Sequence, residues 1–147
     1  MIPVFGIKEA EKEYQARYAA YAILVDDQEK IALVQAPNGA FFLPGGEIEG
    51  NETKEEAIKR EMLEELGVEV ILSDYLGQAD EYFYSRHRST YFYNPGYFYG
   101  TKCWKKVSEP LEEGNLSSWE VPEKALELLK RGSHKWAVEE WLKQKPF

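Results

Sequence analysis

The sequence predicts a single α/β domain, and three observations carry that reading. Two apolar, strand-forming stretches lie near the start, a capped amphipathic helix follows, and strand-like aromatic segments then lead into two further helical patterns. The order is therefore strand, strand, loop and helix, strands, helix, helix. A length of 147 residues suits one domain with a real core, so residues 1–147 are read as one unit.

Residues 1–15 begin apolar and turn charged, and either a helical turn or an extended lead-in fits them. Residues 17–25 are rich in Ala, Tyr, Ile and Val and read as a strand. The polar turn Asp26-Asp27-Gln28-Glu29 leads to a second strand over residues 30–35, which predicts a hairpin. Pro37-Asn38-Gly39 is a turn signal, after which Phe41 to Leu43 lead into Pro44-Gly45-Gly46. Residues 68–72 and 75–84 are strand-like, with Ser85-Arg86-His87-Arg88-Ser89 as a basic turn. Pro95 and Gly96 interrupt the returning aromatic stretch, which predicts a bulge or bend there. Residues 105–118 read as a loop before Trp119. Pro122 suits the first turn of a helix with an apolar face of Ala125, Leu126, Leu128 and Leu129, closed at Lys130-Arg131-Gly132. Ser133 is the expected cap of a last helix, with Trp136, Ala137, Trp141 and Leu142 facing inward and His134 as part of its start.

The chain is organised around residues 45–68. Thr53 is an N-cap and Glu56 completes a capping box. Ile58, Met62 and Leu66 recur at helical spacing, with Leu63 at the edge of the stripe, and Gly67 suits a left-handed C-terminal cap. On the other face Glu61, Glu64 and Glu65 stand at i, i+3 and i+4, so their carboxylates converge. Ala57, one turn earlier, leaves room between them. Arg60 supplies one positive charge against three acids, and a divalent cation is the natural remainder. Carboxylate-only ligation favours hard metals, Mg2+ first and Mn2+ second.

Gly46, Glu52, Arg60, Glu61, Met62, Glu64, Glu65, Gly67 and Val68 together fit G-x5-E-x7-R-E-U-x-E-E-x-G-U, where U is apolar. That pattern is the Nudix box, and the chain resembles a MutT-like, single-domain Nudix hydrolase. The resemblance implies a mixed central sheet sandwiched between helices. It also implies metal ligation by Glu61, Glu64, Glu65 and the Gly45 carbonyl. Glu52 and Arg60 would form an ion pair that orients the loop and the helix. Phe41 stands where relatives usually carry Trp, and Asn51 replaces a common Gly. MutT-like enzymes place a further glutamate a few residues before a Trp near the last helices. Glu113 matches that distance from Trp119, with Glu112 as its rival, as a metal ligand or a general base. Either Glu64 or that loop glutamate would take the proton. A tyrosine some distance past the box marks relatives that hydrolyse dinucleoside polyphosphates, and Tyr84 falls there. Arg86, His87 and Arg88 either meet a distal phosphate or form a solvated hairpin tip. The Tyr- and Phe-rich block either stacks on a base or packs the core.

Composition narrows the function classes. A formal net charge of −8 disfavours binding to a nucleic acid polymer. It also disfavours free polyphosphates unless bound cations mediate. No apolar run suits a membrane span, and the N-terminus lacks the basic region of a signal peptide. The single Cys103 fits a reducing cytosol and reads as a small strand residue. The expected activity is Mg2+-dependent hydrolysis of a phosphoanhydride in a nucleoside diphosphate linked to another moiety. That moiety makes the substrate a nucleoside triphosphate, a dinucleoside polyphosphate or a nucleotide sugar. The alternative is a non-hydrolytic nucleotide-binding module on the same fold. A homodimer is left open.

Overall fold

Strand β3 (Ala19–Ile23) is buried along its whole length, and this places it at the centre of the molecule. The computed structural model describes residues 1–145. Ala19, Tyr21 and Ile23 point into one apolar cluster and Ala20, Ala22 and Leu24 into another, as the alternation of a strand requires. A strand covered on both faces reads as an unbroken apolar run rather than an alternating one.

Around β3 lies a mixed sheet whose path also includes β1 (Val4–Phe5), β7 (Val68–Ser85), β8 (Thr90–Lys106) and β6 (Gly45–Glu47), in the order β1-β7-β8-β3-β6. Strand β2 (Gln15–Ala16) also pairs with β8. A smaller sheet has the order β5-β4-β9, with β4 (Ile31–Gln35), β5 (Phe41–Phe42) and β9 (Leu116–Glu120). Helix α1 (Lys54–Leu66) covers one face through Ile58, Met62 and Leu66. Helices α2 (Pro122–Leu128) and α3 (Gly132–Gln144) cover the other through Ala125, Ala137 and Val138. The expected arrangement of a mixed sheet between helices is what the structure shows. Trp104 of β8 stacks on Trp119 of β9 with ring centroids 5.1 Å apart, tying the two sheets together.

Five local expectations change. The polar turn after residue 25 forms, with the Asp26 N–H donating to the Lys30 carbonyl at 2.9 Å. The strands it joins then diverge into different sheets, so the hairpin is confined to its tip. Residues 68–85 form one strand with its irregularities between Ile71 and Gly77, whereas β8 runs through Pro95 and Gly96 without a break in register. The Asp80 N–H, opposite Pro95, donates outward to the Pro3 carbonyl. The missing N–H of Pro95 therefore faces the other neighbour, where the ladder is interrupted between β2 and β3. Residues 105–118 are a loop only in their middle, since β8 reaches Lys106 and β9 begins at Leu116. Gly132 opens α3 instead of closing α2, and the α3 N-terminus is capped from outside: the Ser133 N–H donates to Glu81 Oε1 at 3.0 Å. A carboxylate there meets both the free amides and the positive end of the helix.

Gly67 links α1 to the loop that follows β8. Its φ is 69°, and its carbonyl accepts from the N–H groups of Val107 and Ser108 at 2.9 and 3.1 Å. A Cβ at this position would strike the Ser108 carbonyl oxygen. Gly67→Ala is therefore expected to lower stability by about 1–3 kcal/mol, measured by urea or thermal unfolding. An unchanged midpoint would show that the backbone relaxes freely there.

Candidate active site

Helix α1 starts on a complete capping box. Thr53 Oγ1 accepts from the Glu56 N–H at 3.1 Å, and Glu56 Oε1 accepts from the Thr53 N–H at 2.8 Å. This sets the rotation of the helix, with Ala57, Ile58 and Met62 buried and Glu61, Glu64 and Glu65 towards β6 and the loop after β8. Ala57 belongs to the buried stripe.

Arg60 organises the acidic face. Its Nε donates to Glu52 Oε2 at 2.6 Å and its Nη2 to Glu52 Oε1 at 3.1 Å, a forked pair. Nη2 also donates to the Glu47 carbonyl at 2.9 Å. Nη1 reaches Glu61 Oε1 at 2.8 Å and Glu64 Oε2 at 3.2 Å. One guanidinium thus binds the loop before the helix to two carboxylates on it.

The loop after β8 brings another acid. The Glu112 N–H donates to the Glu64 carbonyl at 2.8 Å, using an acceptor the end of α1 leaves free. Carboxylate oxygens of Glu61, Glu64 and Glu112 then lie within 4.8 Å of one another. The loop residue in the cluster is Glu112, whereas the expected Glu113 is exposed and stands outside it. The reason is the docking of Glu112 by its own backbone, which sequence spacing does not reveal. Glu65 also sits apart from the three: its Oε1 accepts the Gly45 N–H at 2.8 Å. Gly45 thus reaches the site through its amide. Gly46 lies against Glu61, where a Cβ would come within 2.9 Å of the carboxyl group.

Burial pushes the Glu61 carboxyl up to about 7, although Arg60 pulls the other way. Burial, and then the charge of Glu61, holds Glu65 well above the usual carboxylate range. Three close carboxylates with one shared arginine fit a hard divalent cation, which would offset both burial and mutual repulsion.

Beside the cluster is a cavity of about 200 Å3 whose lining includes Arg17, Tyr21, Phe42, Gly45, Gly46, Glu65 and Arg131. Phe42 and Arg131 are shared with a second cavity of about 310 Å3, which Tyr84, Arg86, His87 and Lys130 also line. Arg88 is not in that lining. It pairs with Glu47 at 3.5 Å and lies over the Phe92 ring. Phe92 and Phe98 of the aromatic block are core residues, whereas Phe83 and Tyr84 reach the second cavity. His134 is 1% exposed and its Nδ1 accepts the Leu43 N–H at 3.0 Å. Burial holds this imidazole well below its usual range, so it stays neutral and fastens the strand before Gly45. Sequence reasoning missed Arg17, Arg131 and Asn94. The available signal was a lone arginine beside a fully apolar strand.

Arg60→Lys removes the fork while keeping the charge. A loss of about 10–100-fold in activity or metal affinity is expected, read by steady-state kinetics and metal titration. Both raised carboxyls bind protons more tightly in the folded state than unfolded. The stability they contribute is full below about pH 4.5 and declines as pH rises, the share of Glu61 being lost through about 7. Thermal melts in EDTA should therefore show a falling midpoint across that window. A divalent cation added above it should restore the midpoint.

A NUDIX domain model matches residues 15–142. The chain is 31% identical over 81 residues to an 8-oxo-dGTP diphosphatase of Proteus vulgaris, covering 52% of this chain and 72% of that protein. Its fold is similar to that of the MutT protein from Methanosarcina mazei Go1, with a TM-score of 0.66, 22% identity, and coverage of 90% of this chain and 99% of the other. The dihydroneopterin triphosphate pyrophosphohydrolase of E. coli gives a TM-score of 0.66 at 18% identity, covering 91% and 100%. The box residues, the mixed sheet between helices and the matched model agree: the chain belongs to the NUDIX domain family and is a MutT-like pyrophosphohydrolase.

Proposed function

We propose that the protein hydrolyses a phosphoanhydride bond in a nucleoside diphosphate linked to another moiety, with Mg2+ as cofactor and Mn2+ as substitute. The observation that carries this is the cluster of Glu61, Glu64 and Glu112, whose oxygens lie within 4.8 Å of one another, with Glu61 against Gly46 of the cleft lining. The 8-oxo-dGTP diphosphatase and the dihydroneopterin triphosphate pyrophosphohydrolase are both named for triphosphate substrates, which supports a nucleotide-type small molecule here. Among the described residues no helix is long and apolar enough to cross a membrane. The cytoplasm is the proposed location, on the charge and the single cysteine, and residues 1–147 are proposed to act as one domain.

Glu61, Glu64 and Glu112 would hold the metal, with Glu65 and Gly45 closing the rear of the site. A bound divalent cation would neutralise phosphate oxygens and acidify the attacking water. Arg60 and Glu52 keep the glutamates in position, since every arm of the guanidinium is engaged. Water attacks phosphorus, the bridging P–O bond breaks, and the proton passes to a carboxylate. Glu112 is the better-placed base: it is exposed, and its side chain is held only by Asn115 at 2.9 Å, whereas Arg60 binds Glu64. No covalent nucleophile is required, because phosphoryl transfer depends on positioning and charge neutralisation. Tyr84 and Arg86 would contact the far part of the substrate.

The test is Mg2+-dependent product release from a panel of nucleoside triphosphates, 8-oxo-dGTP, dinucleoside polyphosphates and nucleotide sugars. Glu64→Gln and Glu112→Gln should each lower kcat by about 10²–10⁴-fold, while Glu113→Gln should stay within about twofold of the parent. Loss on Glu113→Gln with Glu112→Gln unaffected would reverse the loop assignment. Tight nucleotide binding with no turnover of any substrate would favour the binding-module reading.

A further inference from the structure

The chain carries 18 basic against 26 acidic residues, yet the cleft beside the carboxylates is built around two arginines. Arg17 Nη1 and Arg131 Nη1 donate to the same atom, Asn94 Oδ1, at 3.2 and 3.3 Å. Asn94 is 3% exposed, and its Nδ2 donates to the carbonyls of Arg17 and Pro95, which orients its oxygen towards the two guanidinium groups. The residue between two neighbouring cations is therefore an amide, which accepts a hydrogen bond and neutralises nothing.

Arg17 also pairs with Glu47 at 3.2 Å, a half-exposed carboxylate that it shares with Arg88. Arg131 forms no ion pair among the described residues. Its guanidinium lies 3.8 Å from the Phe83 ring centroid and 4.8 Å from that of Phe42. Burial, together with the charge of Arg17, pulls Arg131 below its ordinary range. Holding a guanidinium out of water beside a like charge is costly unless an anion completes the arrangement. Both arginines line the cavity of about 200 Å3 that also touches Gly45, Gly46 and Glu65.

We propose that Arg17 and Arg131 form a clamp for anionic oxygens of a phosphate or carboxylate, and that the substrate carries such a group beyond the bond that is cut. This second part rests on the hydrolytic reading of Glu61, Glu64 and Glu112; the clamp itself does not. It selects, within the nucleotide class, those whose distal moiety is itself anionic.

The clamp is tested by thermal melting in EDTA at constant ionic strength, with inorganic phosphate or acetate as the probe. Without a divalent cation the carboxylate cluster repels both anions, so a rise in melting temperature reports the arginines. Wild type and the Lys102→Gln control should both be stabilised. Arg17→Gln and Arg131→Gln should each weaken the anion about tenfold or more, and should not melt far below wild type in chloride. The stronger of the two anions identifies the group. If Arg131→Gln fails to fold, Arg131→Lys keeps the charge without the fork and should still weaken phosphate. No stabilisation of wild type by either anion would overturn the clamp, as would equal stabilisation of a folded Arg131→Gln variant. Stabilisation by a neutral purine nucleoside alone would overturn it too. For any substrate that turns over, Arg17→Gln should raise KM about tenfold with kcat nearly unchanged, and only when the distal moiety is anionic. Anion stabilisation with no hydrolysis sinks the hydrolytic reading alone; hydrolysis with no anion stabilisation sinks the clamp alone.

Discussion

The guanidinium of Arg60 is the interaction on which the site depends. It joins the loop before α1 to the helix by a fork onto Glu52, and it offers its remaining donors to Glu61, Glu64 and the Glu47 carbonyl. Several carboxylates within a few ångströms of one another repel strongly once burial lowers the effective dielectric. A planar cation with five fixed donors both reduces that repulsion and fixes each oxygen in place, which a lysine could not do. Burial first, and the charges of Glu64 and Glu112 after it, leave Glu61 holding its proton up to about 7 despite Arg60.

The second constraint is the end of α1. A helix leaves its last carbonyls without partners, and here the loop after β8 supplies donors. Glu112 N–H meets the Glu64 carbonyl, and Gly67 receives Val107 and Ser108. The capping that stops the helix thereby delivers the loop acid to the helix acids. Stability and the geometry of the carboxylate cluster are coupled at this joint, because the same hydrogen bonds serve both.

A third feature concerns the other side of the cleft. The neutral Asn94 between Arg17 and Arg131 leaves charge exposed to the cavity that an aspartate would have cancelled. On an acidic protein this creates a local positive end facing a negative cradle, a polarity that would orient a phosphate-containing substrate along the cleft. His134 serves this arrangement without titrating: as a buried neutral acceptor for the Leu43 N–H, it holds the strap that carries Gly45 and Gly46.

The linear chain alone determined helix α1, its capping box, its glycine stop and its acidic face. These depend on contacts within one turn of helix, and such contacts are written in short spacings such as Thr53 to Glu56 and Glu61 to Glu65. It also determined the α/β class, the Glu52–Arg60 pair and the family. Only the tertiary structure decided that Glu112 and not Glu113 joins the cluster, that Glu65 turns to the Gly45 amide, and that Pro95 lies within an unbroken strand. It alone brought Arg17, Asn94 and Arg131 together, whose bonded pairs stand 77 and 37 positions apart in the chain. The physical reason is the same in each case: the outcome depends on which backbone groups a distant segment leaves unpaired, and that is set when the sheets and helices dock.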